Sequence, residues 1–281
     1  MLEFRTRALV LRTFDLAESD RLVHLYTEDL GRVSAIAKGA RRSQRRFPGT
    51  LEIFNLLDAQ LVDPPHASIM RLESACLERP FERLVNDLGR YAIACYFIEI
   101  LGRFTGEHEA DPELFRFAVG VLDVLAEEVP DRLLALLVLT KTLAHLGYRP
   151  QLIACAICGA SISAAAGRVE FSARQGGVVC GSCGTGEEAA VPAALLRALE
   201  EGIRMPLRER ARLALAPPAV RRAELLLERF FRYHVGIELR SSAFVHATLG
   251  FEQVDAARPG EDTAPARDAM VACGPEPAGR I

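Results

Sequence analysis

The order of apolar and polar residues divides the chain into a β-rich first part and a helical remainder. In the first 80 residues, apolar side chains recur at every second position, as between Phe4 and Phe14, and this period is typical of half-buried strands. Polar or Pro-rich turns separate five such runs. Five short strands fit a small closed barrel of the OB-fold type, with an SH3-like barrel as the alternative. The runs cover 4–14, 21–26, 30–38, 51–62 and 67–77.

From Phe81 onward the apolar spacing lengthens to three or four residues, which predicts helices. Asp and Pro mark two helix starts, at 111–112 and 130–131, because Asp caps a helix and Pro suits its first turn. Further helices are predicted at 81–102, from Pro192 to Gly202, from Pro206, and from Pro217, the last being the longest. After Gln253 the composition changes to Ala, Pro, Gly and charged residues, which predicts a disordered tail at 254–281.

Charge is distributed unevenly along the chain. The formal net charge is −3, so no global attraction to polyanions is expected, but the first 50 residues carry ten cations against six carboxylates. The most apolar segment, Leu133 to Leu139, is too short to cross a bilayer, and no signal peptide is apparent. We therefore expect a cytoplasmic protein without membrane contact whose nucleic-acid surface, if it has one, is local.

The densest cationic segment follows the third predicted strand. Five cations fall within nine positions that contain no acidic residue: Lys38, Arg41, Arg42, Arg45 and Arg46. Such a run is often a solvated loop. Neighbours in sequence cannot neutralise it, however, so a phosphate backbone is the favoured partner. Two strand arginines, Arg12 and Arg32, are predicted to extend this DNA-binding surface across the barrel.

Four of the seven cysteines form two CxxC pairs, separated by 21 residues: Cys155, Cys158, Cys180 and Cys183. Each pair is followed by a glycine, Gly159 or Gly184, which we expect to take the positive φ of a metal-binding knuckle. Four thiolates complete a tetrahedral shell, so a structural zinc ion is predicted. A thioredoxin-like redox pair is the first alternative. A zinc deaminase is the second, although its H-x-E segment is missing.

No Ser-His-Asp order, P-loop or paired-carboxylate motif is apparent in the sequence. The prediction is therefore a binding protein rather than an enzyme. Two other hypotheses remain at this stage. One is a zinc-containing interaction adaptor whose basic loop binds an acidic partner, with DNA binding secondary. The other is a zinc hydrolase, which would need an incomplete ligand shell.

Four stretches together resemble one family, the RecO recombination-mediator and DNA-repair proteins of bacteria. They read VLRTFDLAESDRLVHLYTEDLGRVSAIAKGARRSQRRFPGTLEIF, LGYRPQLIACAICG, FSARQGGVVCGSC and FFRYHVGIELRSSAF. The resemblance implies an α+β fold, with an N-terminal OB-fold β-barrel followed by an α-helical domain that carries an inserted four-cysteine zinc module. The implied domains are the OB-fold at 1–80, the helical domain at 81–152 and 187–250, and the zinc module at 153–186.

The resemblance also implies a function. Such proteins are non-catalytic, bind single- and double-stranded DNA, and anneal complementary strands. With RecR they help to load RecA onto single strands coated by the single-stranded DNA-binding protein (SSB). RecF and RecA are candidates for indirect contact, and the expected location is the nucleoid.

By position, Lys38, Arg41 and Arg42 match the family's K-G-A-R-R loop, whereas Ser43 and Gln44 replace its more usual Pro-Lys. The four paired cysteines match the zinc ligands of those members that have them. Family members bind the acidic SSB tail on the helical domain. Phe230 and Phe231 of the last long helix are predicted to pack in the core rather than to bind a ligand. We place the SSB contact near them, at four arginines of the same helix: Arg221, Arg222, Arg229 and Arg232.

Overall fold

The computed structural model describes residues 2–250, except positions 17, 44, 65–68, 164, 187, 189 and 237. The predicted tail at 254–281 lies outside the described residues. The chain forms two compact units. The first contains residues up to Ala126 and resumes at Leu239, and the second is Glu127–Glu238. These two units are defined by contacts between residues. The domains predicted from sequence separate the barrel, the helices and the zinc module, so their boundaries differ from those of the units.

Five strands of the first unit form a closed barrel in the order β1-β2-β3-β5-β4. β1 pairs with β4 to close it, and β3 pairs with β5 in parallel. A closed five-stranded barrel is the OB-type arrangement, and the predicted fold class is confirmed. The strands are β1 (Leu2–Leu16), β2 (Asp20–Thr27), β3 (Gly31–Ala37), β4 (Leu56–Asp63) and β5 (Met70–Arg79).

The barrel interior is filled by the inward residues of these strands. Along β3 the burial alternates strictly, with Val33, Ala35 and Ala37 inside, as the period of two predicts. The predicted fourth strand begins too early. Residues 51–55 form a turn in which Phe54 has φ of 73° and is fully buried. The strand therefore starts only at Leu56.

α-Helices supply most of the regular structure that follows the barrel. Side-chain carboxylates cap several of them, including the two helix starts predicted at Asp111 and Asp131. Asp131 accepts from the Leu134 amide (2.7 Å), and Asp87 accepts from the Arg90 amide (2.9 Å). The Asp87 cap divides the predicted helix at 81–102 into two. The helices are α1 (Glu82–Val85), α2 (Leu88–Phe104), α3 (Pro112–Glu127), α4 (Arg132–His145), α5 (Ala193–Arg204), α6 (Pro217–Val235) and α7 (Arg240–Thr248).

The C-terminal helix α7 belongs to the first unit because it is held by α2. Glu99 of α2 accepts hydrogen bonds from the backbone amides of Arg240 (3.0 Å) and Ser241 (2.8 Å). A carboxylate at these amides satisfies donors that the first turn of a helix leaves unpaired. The chain thus returns to its first unit at its last described element.

The second unit packs α4, α5 and α6 against a small sheet. Its strands are β6 (Arg168–Ser172), β7 (Gly177–Val179) and β8 (Ala190–Pro192), in the order β7-β6-β8. β6 and β7 pair as an antiparallel hairpin. Phe171 and Val178 enter the same buried cluster as Leu199, Leu227 and Phe230. The helix predicted from Pro206 is a 3₁₀ helix, Leu207–Leu213.

Across the described ranges, no helix is both long and apolar enough to cross a membrane.

Candidate nucleic-acid interface and metal centre

The basic loop, residues 38–46, is fastened to the barrel at both ends. After β3 the chain turns at Gly39, whose φ is +66° and whose amide donates to Asp20 Oδ1 (2.8 Å). Ala40 and Phe47 are buried in the barrel core. The Arg46 carbonyl accepts from the Ala75 amide (3.1 Å). The two ends of the loop are therefore positioned by the fold, and the side chains of its five cations extend into solvent.

Asp20 has a structural role beneath this loop. The Gly39 amide, followed by the Ser19 hydroxyl and the nearby Lys38 charge, lowers the pKa of Asp20. The carboxylate is thus ionised at neutral pH, and it is engaged by the backbone. Sequence reasoning did not identify this anchor, because Asp20 lies 19 residues before its partner.

All five loop cations predicted from sequence are exposed. Arg41 Nε lies 3.6 Å from Asp15 Oδ2, and Arg46 donates to the Lys38 carbonyl (2.6 Å). Within the described residues, no salt bridge involves Lys38, Arg42, Arg45 or Arg46. The structure therefore brings the five cations together on one exposed segment and pairs only one of them with a described carboxylate.

The arginines on the strands behave differently. Arg5 pairs with Asp58 (2.5 Å), and Arg7 pairs with Glu78 (2.7 Å). Arg32, predicted to bind DNA, donates to the Thr105 carbonyl (3.1 Å) and pairs with Glu107 (3.1 Å). These contacts tie β3 to the segment after α2. Arg32, which was predicted to extend the basic surface, is thus already engaged in contacts inside the fold.

Arg12, the other predicted strand residue, is exposed, and its guanidinium carbon lies 4.7 Å from the Phe14 ring centroid. No ion pair of Arg12 is found in the described part of the chain. Arg12 therefore remains available to an external anion beside the basic loop.

The four predicted metal ligands converge in the second unit. The Sγ atoms of Cys155, Cys158, Cys180 and Cys183 all lie within 4.8 Å of one another, and the Cys158–Cys180 separation is 3.7 Å. Four sulfurs placed about 2.3 Å from one ion would be about 3.8 Å apart. The donor set and its spacing can therefore hold a metal ion with four thiolates, which leaves no ligand position for water.

Backbone hydrogen bonds and glycine residues shape the two CxxC segments. The amides of Cys158 and Cys180 hydrogen-bond to the Cys155 sulfur and lower the pKa of Cys155 to about 6, which favours the thiolate that binds metal. Gly159 has φ of +74°, as predicted. The prediction for Gly184 is wrong, since its φ lies outside the left-handed region. A Cβ at Gly184 would lie 2.4 Å from Glu170 Oε2, which is the flexible end of that side chain.

The predicted partner site on α6 lacks the hydrophobic pocket that it requires at Phe230 and Phe231. Both rings are buried, at 3% and 6% exposure, and Phe171 packs on Phe230 with ring centroids 6.4 Å apart. Arg229 pairs with Glu188 (2.9 Å). The large apolar side chains that α6 does expose are Leu225 and Tyr233. The apolar surface that α6 leaves open is therefore that of Leu225 and Tyr233 rather than that of the phenylalanines.

Comparison with known proteins agrees with this architecture. The family model described as Recombination protein O N terminal matches residues 1–81, and the one described as Recombination protein O C terminal matches residues 85–243. The chain belongs to the RecO family. The boundary between the two matches, at residues 81–85, falls where the barrel gives way to the first helices.

Curated relatives cover most of the chain. The DNA repair protein RecO of Anaeromyxobacter sp. (strain K) is 39% identical over 244 residues, which is 84% of this chain and 93% of the relative. The same-named protein of Myxococcus xanthus is 40% identical over 253 residues, covering 87% and 97%. That of Roseiflexus sp. is 34% identical over 247 residues, covering 86% and 84%. Family membership supports a role in recombinational DNA repair.

Proposed function

We propose that the chain is a non-catalytic recombination mediator that binds DNA through the basic loop. The observation that carries this proposal is the contrast in pairing within the barrel. Lys38, Arg42, Arg45 and Arg46 are exposed without a carboxylate partner in the described ranges, whereas most strand arginines pair internally. Arginine and lysine side chains held on an anchored loop suit the phosphates of single- and double-stranded DNA.

Phosphate neutralisation gives a route to strand annealing. Two complementary strands repel each other because both are polyanions. A loop that neutralises phosphates and leaves the base edges uncovered lowers this repulsion without making or breaking a covalent bond. The proposed activity is therefore binding and pairing, and no turnover is assigned to any residue.

Family membership further motivates the proposal that the chain acts with RecR to load RecA onto SSB-coated single strands at the nucleoid, with RecF as an indirect partner. Contact with the SSB tail stays a prediction for the four arginines of α6, Arg221, Arg222, Arg229 and Arg232. Because Phe230 and Phe231 are buried and Arg229 pairs with Glu188, we propose that exposed Leu225 and Tyr233 supply the apolar part of this contact. We also propose that the ion held by the four cysteines is one Zn²⁺ with a structural role. Four thiolates are a common zinc ligand set, and they leave no open coordination position.

Fluorescence anisotropy with a labelled single strand at increasing salt tests the DNA-binding proposal. If about five phosphates are engaged, log affinity falls with log salt at a slope of about −3 to −4. Replacement of Arg41, Arg42, Arg45 and Arg46 by Ala should weaken binding at least about tenfold at low salt and flatten the slope. Unchanged affinity in this variant would refute the assignment.

A control variant removes the same charge from arginines that are paired within the fold. Arg5, Arg204, Arg208 and Arg212 each pair with a carboxylate. Their fourfold replacement by Ala should leave the salt slope unchanged. An equal loss in both variants would mean that net charge, rather than the loop, governs binding.

Strand annealing is tested separately with complementary oligonucleotides, with and without SSB. The wild-type chain should accelerate pairing in both cases, and the loop variant should not. A variant that loses DNA binding but keeps full annealing activity would contradict the proposed mechanism.

A further inference from the structure

The outer face of β1, β2 and β3 carries a row of planar side chains next to the basic loop. The register pairs Arg12 with His24 and His24 with Ser34, so the three lie side by side on one face. Val23 and Leu25 of β2 point into the barrel core, and alternation therefore places His24 outside. A register shift between Val10 and Arg12 redirects β1 at this point, as bulges beside functional surfaces often do.

The planar groups hold one another in place. Arg12 lies over the Phe14 ring at 4.7 Å, and Phe14 meets His24 edge to face at 5.6 Å. His24 Nδ1 lies 2.8 Å from Ser34 Oγ, a hydrogen bond that orients the imidazole. Arg12 is exposed, and Phe14 and His24 are partly exposed. The next row, Phe14–Leu22–Ile36, is also only partly buried.

This row adjoins the basic loop. Asp15, the residue after Phe14, is the carboxylate closest to Arg41 (3.6 Å), and the Arg41 amide donates to the Ser19 carbonyl (3.0 Å). Ile36, in the row beyond His24, is followed two residues later by Lys38, where the loop begins. A strand whose phosphates contact the loop thus lies beside the planar groups.

We propose that Arg12, Phe14 and His24 form a stacking platform for the unpaired bases of single-stranded DNA. This inference rests on the proposed function, because the basic loop must hold the sugar-phosphate chain against the barrel. Every base has a π-face that can stack on an aromatic ring or a guanidinium plane. In a duplex those faces are covered by neighbouring base pairs. The platform therefore gives the chain a preference for single strands, which phosphate contacts alone do not provide.

A single tryptophan tests the platform directly. The chain contains no Trp, so a Phe14→Trp variant carries one fluorophore at the proposed stacking position. Titration with oligothymidylate should quench its emission. A Leu2→Trp variant provides the control, because Leu2 is exposed near the opposite end of β1 and should not be quenched. Equal quenching at both positions, or none at position 14 while anisotropy reports binding, overturns the platform.

Affinity measurements separate the platform from the loop. A Phe14→Leu variant keeps apolar bulk but removes the π-face, and it should weaken binding to oligothymidylate by about fivefold or more. Its affinity for a duplex, and for an abasic strand of equal length, should match that of the wild-type chain. The fourfold loop variant should weaken binding to all three ligands.

These patterns keep the two proposals distinguishable. Loop-dependent binding with no effect of Phe14→Leu on the base-bearing strand overturns only the platform. Failure of the wild-type chain to bind any of the three ligands overturns the platform and the proposed function together. Phe14-dependent quenching by an acidic peptide, in place of oligothymidylate, would assign this face to a protein partner and overturn the DNA proposal.

Discussion

Arg210 of the second unit and the arginines of the basic loop have opposite surroundings. Arg210 is buried, and it reaches Glu128 (2.7 Å), Asp131 (3.1 Å) and the Val129 carbonyl (3.1 Å). Arg42 and Arg45 are exposed, and within the described ranges neither has a salt bridge. Arginine thus stabilises the fold at position 210, whereas at positions 42 and 45 it extends into solvent.

The absence of internal salt bridges, rather than the number of cations, therefore indicates a surface for an external anion. In the second unit, Arg210 pairs with carboxylates of the same unit, and the four cysteine sulfurs converge on one another. In the basic loop, Arg41 alone among the five cations pairs with a described carboxylate. The charges of the other four remain for a partner. Four predictions test this contrast, beginning with the largest expected effect.

Loss of a metal ligand should have the largest effect. In zinc-finger peptides, metal binding supplies on the order of 10 kcal/mol of folding free energy. Phe171 and Val178 connect the knuckles to the helical core, so Cys158→Ala should unfold much of the second unit. Circular dichroism and zinc content measure the outcome. Cys76→Ala, at an exposed cysteine of β5, is the matched control. Full zinc loss with unchanged stability would show that the site does not support the fold.

The loop anchor should matter more for stability than the loop charge. Phe47→Ala removes a ring that is 4% exposed and should lower the free energy of unfolding by about 3 kcal/mol. Arg45→Ala should change it by less than about 0.5 kcal/mol while weakening DNA binding. Urea denaturation gives both values. A larger destabilisation by Arg45→Ala would mean that this charge has a partner within the fold.

A smaller decrease in the free energy of unfolding is expected when an internally paired arginine is replaced. Arg210→Met leaves Glu128 and Asp131 without their cation, and because both are partly exposed we expect a loss of about 2 kcal/mol. Arg42→Met, the same substitution in the basic loop, should be nearly neutral. Thermal denaturation compares the two variants. Equal effects would remove the distinction between internal and external arginines.

The smallest effect concerns pH. Burial, followed by the charges of Arg12 and Arg32, lowers the pKa of His24, with Glu107 opposing. The unfolded chain therefore takes up a proton near pH 6.5, before the folded chain does. Stability from this source is complete at higher pH and falls as the pH drops below about 6.5.

Urea denaturation at pH about 8 and about 5.5 measures this loss, which should be smaller in His24→Gln. The same pH slope in both proteins would assign the effect to other groups.

Local chemistry made the elements and the metal ligands predictable. Alternation of apolar residues indicated the barrel strands, Asp131 marked a helix start, and the spacing of Cys155 and Cys158 indicated a knuckle. Each of these signals acts over a few residues. The late start of β4 was not predictable, because Phe54 takes positive φ, which is unusual for a residue with a Cβ.

The sequence by itself determined the five-stranded barrel, the helical remainder, the four-cysteine ligand set and the position of the basic loop. The packed structure was needed to show which arginines are paired and that Phe14 meets His24. The physical reason is distance along the chain. Arg5 and Asp58 are 53 residues apart and Arg210 and Asp131 are 79 apart, so no local pattern encodes contacts that form only when strands and helices pack.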